Sequence, residues 1–240
     1  YLTVILDAQT GELLDIRNHA FYEEFITPSS SEIISSKAAT GREIKNVNQM
    51  SAGYKVFELP LPHPLNGDRT LVTNPALPTA SPLGWHSTLP GLIPEYTITR
   101  GNNVYAFKNE NGNQYSPDGG STLVFDHLLD TTYSVGSPSK DAAITNVFYL
   151  INRIHDILYT YGFDEAAGNF QTNNFGNGGA GNDAVVALVQ DNTETCNASM
   201  SFPVDGMAPN MTVYVCNDHD VAYDGPVIIH EYAHGLTGRL

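Results

Sequence analysis

Apolar residues recur at three- and four-residue spacing over 141–161, where Ile144, Val147, Phe148, Ile151, Ile154, Leu158 and Tyr161 line one face of a predicted helix. Ser139 or Asp141 stands where a cap belongs, and Gly162 ends the run. His155 shares the stripe of Ile151 and Leu158, which favours a hydrogen-bonded core histidine over a ligand. Elsewhere the spacing is that of strands. Leu2 to Leu6 reads as a short strand, 7–11 as a turn, and Leu13, Leu14 and Ile16 as a second strand or mixed segment. A serine-rich stretch follows, with few large apolar residues from 37 to 51, and marks a boundary or linker. Alternation returns over 53–59, 97–108, 122–125, 185–189 and 212–216. Between the first two of these, residues 60–94 carry eight prolines, so the segment is expected to run extended over a surface and not as helix. One long helix among many short strands is an α+β pattern.

A second helical stretch closes the chain. Asp224 can cap it, Pro226 suits a first turn, and Val227, Ile228 and Ile229 lead into His230-Glu231-Tyr232-Ala233-His234 with no breaker before Gly235. Positions 228, 229, 232, 233 and 236 are expected to face the core and 230, 231 and 234 a cleft. The spacing H-E-x-x-H sets two imidazoles one helical turn apart with a carboxylate beside them, the arrangement of zinc peptidases. His230 and His234 are thus the candidate metal ligands and Glu231 the candidate general base. A hydrolytic zinc site takes three protein ligands and a water, so one ligand is still to be found. The extended pattern H-E-x-x-H-x-x-G-x-x-H is excluded, because Thr237 and Leu240 occupy its glycine and third-histidine positions. No upstream Asp or Glu stands in a recognisable ligand motif.

Composition narrows the partners. Eleven Lys plus Arg against 26 Asp plus Glu give a formal net charge of −15, which disfavours nucleic acid and anionic membranes. No apolar run approaches the roughly 20 residues of a membrane span, and Tyr1 does not open a signal peptide, so the chain is expected to begin inside a longer precursor. The two cysteines, Cys196 and Cys216, allow one disulfide or two buried thiols. With His219 they make only a weak metal pattern. Sequons at Asn197-Ala198-Ser199 and Asn210-Met211-Thr212 add candidate glycosylation at Asn197 and Asn210, and together with the acidic composition favour a secreted eukaryotic protein with a disulfide. The Gly- and Asn-rich stretch 168–183 suits positive backbone dihedrals and close approach, or else a flexible surface loop.

The chain resembles the fungalysins, secreted zinc metalloendopeptidases distantly similar to thermolysin. The resemblance rests on ordered blocks: Ser81-Pro82-Leu83-Gly84-Trp85-His86, Arg100-Gly101-Asn102-Asn103-Val104, His155-Asp156, Tyr161-Gly162-Phe163, Glu165-Ala166-Ala167-Gly168-Asn169-Phe170-Gln171, Asn173-Asn174-Phe175-Gly176, Gly181-Asn182-Asp183-Ala184-Val185, and the terminal His230-Glu231-Tyr232, His234-Gly235 and Arg239-Leu240. It covers about residues 53–240 and implies a β-rich, thermolysin-like N-terminal lobe (51–240) with one long helix and the start of the zinc helix, preceded by the tail of an inhibitory propeptide (1–50) cleaved near Tyr54-Lys55-Val56-Phe57. It implies zinc on His230 and His234, catalysis by Glu231, and a third ligand, a glutamate, on a helix beyond Leu240, together with a C-terminal lobe not in this chain. It also implies a substrate-pairing edge at Asn182, Asp183 and Ala184, and protein or peptide substrates cut outside the cell by a monomer. Gly238 departs from the family, which usually has Asn there. The competing readings are a truncated, non-catalytic binding or inhibitory module, and an adhesion module with an accidental H-E-x-x-H. Calcium is compatible with acidic stretches such as 218–224 but has no defined spacing there.

Overall fold

The helical stripe of 141–161 forms α1, Lys140–Thr160, and Gly162, at φ +98°, ends it. Ser139 occupies the N-cap position, but its hydroxyl accepts from the Asp130 amide (2.8 Å) instead of capping. The helix is buried on nearly every side from Ala142 to Asn152, which makes it the spine of the core and not a surface helix. This computed structural model describes residues 2–6, 13–18, 51–92, 94–130, 139–216 and 219–240.

The chain divides into two compact units, Tyr1–Glu43 and Ile44–Leu240. In the first, β1 (Leu2–Leu6) and β2 (Leu13–Asn18) pair antiparallel, from Leu2 opposite Asn18 to Leu6 opposite Leu13. The serine-rich segment read as linker and propeptide tail lies outside the described residues.

The second unit holds two sheets. In the smaller, β3 (Gly53–Val56) lies between antiparallel β4 (Thr70–Thr73) and parallel β7 (Val124–Phe125). In the larger, β5 (Val104–Glu110), β8 (Val185–Thr195) and β10 (Asn210–Val215) run parallel; β6 (Asn113–Tyr115) and β9 (Ala198–Met200) add antiparallel edges, in the order β6-β5-β8-β10-β9. α1 packs on β3, β5 and β8 and on α2 (Gly225–Arg239), so one helix joins both sheets to the segment that carries the motif. The α+β expectation holds. The proline-rich stretch nevertheless contains β4, on an edge where proline-flanked strands are tolerated.

Polar groups on α1 are spent on holding the irregular chain. Asn146 accepts from the Phe57 amide (2.9 Å) and donates to the Ala222 carbonyl (2.9 Å), tying the end of β3 to the turn before α2. Asp156, fully buried, accepts from the Leu77 amide (2.9 Å), the Ser81 hydroxyl (2.7 Å) and the Trp85 indole (2.9 Å). His155 is the core histidine its position predicts, 1% exposed, with Nδ1 3.1 Å from Asp156. Above α1, Tyr54, His86 and Phe125 stack. His86 Nδ1 faces the Ile98 carbonyl (3.0 Å), which can only accept, so that nitrogen carries the proton and Nε2 accepts from the Tyr54 hydroxyl (2.8 Å). Burial pushes the His86 pKa down to about 4 against the backbone bonds from Ile98 and Arg100, keeping the ring neutral within this stack.

Candidate active site

Pro226 in the first turn and the apolar run 227–229 start α2, where the Asp224 carbonyl, and not its carboxylate, receives the Ile228 amide (3.2 Å). Ile228 and Tyr232 are fully buried, as expected. Ala233, expected in the core, is exposed; Gly235 is buried in its place. A Cβ at Gly235 would stand 2.5 Å from Met200 Cε and 3.0 Å from the Phe170 ring, and one at Gly238 would stand 2.5 Å from Phe202. The two glycines let β9 and the chain after it lie directly on the helix. Gly238, the departure from the family pattern, therefore has a local reason: it makes room for Phe202.

The cleft face carries the chemistry. His230 and His234 are exposed, their rings 4.6 Å apart at 89°, and their Nε2 atoms approach to 3.0 Å. Two imidazole nitrogens on a tetrahedral zinc at about 2.0–2.1 Å sit about 3.3 Å apart, so this pair has nearly the spacing of a chelating edge. The donor set fits the ion: two imidazoles one turn apart, with their Nε2 atoms converging. Among the described residues no third His, Cys, Asp or Glu completes a cluster with them. Glu231 is 8% exposed and makes no hydrogen bond or ion pair among the described residues, so its carboxylate is not committed to the fold.

His230 and Glu231 form one wall of an open groove of about 540 Å³; Pro226 and Val227 continue that wall, and Cys196, Asn197, Ala198 and Cys216 form the other. Cys196 and Cys216 are joined as a disulfide with Cα atoms 4.3 Å apart, which removes both the free-thiol and the metal-ligand alternatives. Closing this 20-residue separation is worth about 3 kcal/mol in the chain-entropy model.

The expected substrate edge at Asn182, Asp183 and Ala184 is not where the structure puts an edge. β8 starts at Val185 and lies inside the sheet between β5 and β10. Asp183 is sealed off, accepting from the Gln171 amide (3.1 Å), the Gly206 amide (3.1 Å) and Arg239 Nη1 (2.8 Å). The glycines before it serve close packing: a Cβ at Gly179 would lie 2.0 Å from the Glu165 carbonyl. The edge strand that packs on α2 is β9. Its three residues carry no periodic signal, and only the H-E-x-x-H helix packed beside it marks it out.

Arg239, unremarked beyond its place in the family blocks, anchors the end of α2. Its Nε donates to the Pro203 carbonyl (3.0 Å), Nη1 to the Gly168 carbonyl (2.9 Å) and Asp183, and Nη2 to the Met207 carbonyl (3.2 Å), while the guanidinium lies 4.6 Å over the Phe170 ring. Burial pushes the Asp183 carboxyl up, opposed by hydrogen bonds from Arg239, Gly206 and Gln171, so the interior accommodates the pair and not a lone charge. Asp220, in the acidic stretch considered for calcium, is occupied with Gln190 Nε2 (2.6 Å) and the Ala222 amide (3.0 Å); Asp218 lies outside the described residues.

Comparison with known proteins reaches the same segment. A model of the fungalysin metallopeptidase (M36) family matches residues 53–240. The chain is 40% identical over 198 residues to the "Probable extracellular metalloproteinase 5" of Arthroderma benhamiae, covering 79% of this chain and 31% of that protein. It is 41% identical over 199 residues to "Extracellular metalloproteinase 3" of Trichophyton tonsurans, with the same coverage, and 40% identical over 198 residues to "Extracellular metalloproteinase MEP" of Fusarium vanettenii, covering 30% of the latter. The chain thus spans about three tenths of the length of these curated relatives. With a match that runs from β3 through the sheets to the end of the His230–His234 helix, the chain belongs to the fungalysin metallopeptidase family.

Proposed function

We propose that this chain is the N-terminal lobe of an extracellular zinc-dependent metalloendopeptidase, with residues 1–50 the tail of its inhibitory propeptide. The observation that carries the reading is the convergence of His230 and His234 Nε2 to 3.0 Å, with His230 and Glu231 lining one groove. The two imidazoles would hold zinc with a third ligand from outside these 240 residues. When bound, zinc supplies Lewis-acid polarisation of the scissile carbonyl and lowers the pKa of water toward 7. Glu231 takes the proton of the attacking water and returns it to the leaving amine.

β9 offers the substrate a backbone to pair with. Asn197 O receives the Tyr214 amide (3.1 Å) and the Ser201 amide donates to Asn210 O (2.9 Å), both toward β10. By the alternation of an antiparallel ladder, the intervening Ala198 and Met200 turn their main-chain groups to the open side, where an extended peptide can add a strand beside the catalytic helix. Substrates are therefore expected to bind extended.

No helix among the described residues is long and apolar enough to cross a membrane, and the relatives, named as extracellular metalloproteinases, support secretion. The proposal is tested on the full-length protein with casein. Cleavage is expected to stop with a chelator and to return with stoichiometric zinc. Cleavage that survives complete zinc removal contradicts it. Two imidazoles hold zinc less tightly than three ligands, so the 240-residue chain alone is expected to be weakly active or inactive.

A further inference from the structure

We propose that the Cys196–Cys216 disulfide is a positioning device for the substrate: it holds the start of β9 in register, so that the main chain of Ala198 is fixed beside His230 and Glu231 when a peptide pairs with it. The role toward substrate rests on the endopeptidase reading; the hold on the strand does not.

β9 is short and is secured unequally at its two ends. At the far end Met200 is buried against the helix at Gly235, and Ser201 is bound to Asn210 in both directions, its amide donating to Asn210 O (2.9 Å) and its hydroxyl accepting from the Asn210 amide (2.8 Å). The start has less to hold it. Residues 192–197 are all exposed, and β8 leaves the ladder there: its pairing with β10 slips on either side of Tyr214, so that Tyr214 faces Asp191 and Val215 faces Thr195. The main chain contributes two long bonds, from the Cys196 amide to Val215 O (3.2 Å) and from the Tyr214 amide to Asn197 O (3.1 Å). Cys196 itself sits at φ +54°, a left-handed conformation that a non-glycine residue keeps only where its surroundings impose it. A three-residue strand paired on one side is the kind of element that opens locally.

The disulfide supplies the missing hold. Cys216 is 3% exposed, its amide donates to the His219 carbonyl (2.9 Å), and the chain beyond it leads through the turn Val221–Tyr223 into α2. The bond therefore ties the wall of the groove formed by Cys196, Asn197 and Ala198 to the segment that leads into the wall carrying His230 and Glu231. Ala198 stands two residues from the cross-link, so a shift at Cys196 displaces the groups it offers to substrate. The helix does not depend on the bond in the same way, since Ile228 and Tyr232 are buried in the core and Arg239 anchors its end. Loss of the disulfide thus misplaces the edge and leaves the metal ligands and base where they are.

The test compares the full-length wild type with Cys196→Ala/Cys216→Ala, well below both melting temperatures. Substrates are short blocked peptides and the same peptides N-methylated at one amide at a time, away from the scissile bond. In the wild type, N-methylation of the amide that pairs with Ala198 is expected to lower kcat/KM about tenfold. In the double variant KM for the parent peptide is expected to rise about tenfold, in proportion to the time the edge spends out of register, with kcat and bound zinc close to wild type. The N-methyl penalty is expected to shrink to about twofold or less. Ile144→Val, a change in the core, is expected to lower the melting temperature and leave KM and the penalty intact. No penalty at any position in the wild type, a double variant that keeps the wild-type KM or penalty, or one that loses kcat and zinc instead, overturns the proposal. If the wild type cleaves no peptide, the endopeptidase reading fails and amide exchange decides the hold on the strand. Faster exchange at residue 196 and Tyr214 in the double variant, with Ser201 unchanged, upholds it; unchanged protection, or a loss spread over the whole lobe, overturns it.

Discussion

Glu231→Gln in the full-length protein is expected to lower kcat for peptide hydrolysis by about 10²–10⁴-fold while leaving bound zinc, KM and thermal stability close to wild type. Glutamine fills the same volume, and Glu231 makes no hydrogen bond or ion pair among the described residues whose loss would loosen the helix. What disappears is the ability to accept a proton from water and return it to the leaving amine. An effect confined to kcat, with zinc retained, separates a base from a ligand or a structural carboxylate. Loss of zinc from this variant would reassign the residue to the metal shell. Unchanged kcat would remove it from the chemistry altogether.

Arg239→Ala has the largest effect expected on folding, a loss of about 3–5 kcal/mol, because it strands the Asp183 carboxylate in the interior. Asp183 has no exposed surface and the Arg239 side chain is only 3% exposed, so water cannot replace the lost partner. The same guanidinium satisfies the carbonyls of Gly168, Pro203 and Met207, which the substitution also orphans. In a lobe of this size the melting temperature should fall by roughly 10 °C. Combining Arg239→Ala with Asp183→Ala should cost less than the sum of the single changes, since removing both leaves no unpaired charge in the interior; Asp205, the other carboxylate on Arg239, is 35% exposed and solvated. Additive losses would show that the ion pair is not what holds the end of the helix.

Much of this was legible in the spacing of residues. The stripe Ile144 to Tyr161 predicts α1 to within a residue at each end, and Pro226 with the run 227–229 predicts the helix that carries His230, Glu231 and His234, because a buried face and a start signal are local properties. What stayed hidden depends on contacts far apart in sequence. Asp183 and Arg239 are 56 residues apart and neither has a neighbour that announces the pair. β9 is three residues long, too short for a period, and is an edge only because β10 pairs with one of its sides. The Gly- and Asn-rich stretch 168–183 was ambiguous for the same reason: a positive φ such as that of Gly179 serves tight packing against Glu165 and Asn174 as readily as it would serve a binding edge. Ala233 and Gly235 exchanged places because the helix is packed against by Met200 and Phe170, and only a residue without a side chain fits there.

The central claim is that His230 and His234 hold one zinc ion above Glu231. Anomalous diffraction from crystals of the full-length protein, collected on both sides of the zinc absorption edge, tests it at the atoms concerned. A single zinc peak within bonding distance of both Nε2 atoms, about 2.0–2.1 Å, is the predicted result. A zinc peak elsewhere in the protein, with His230 and His234 still joined to each other, would contradict it.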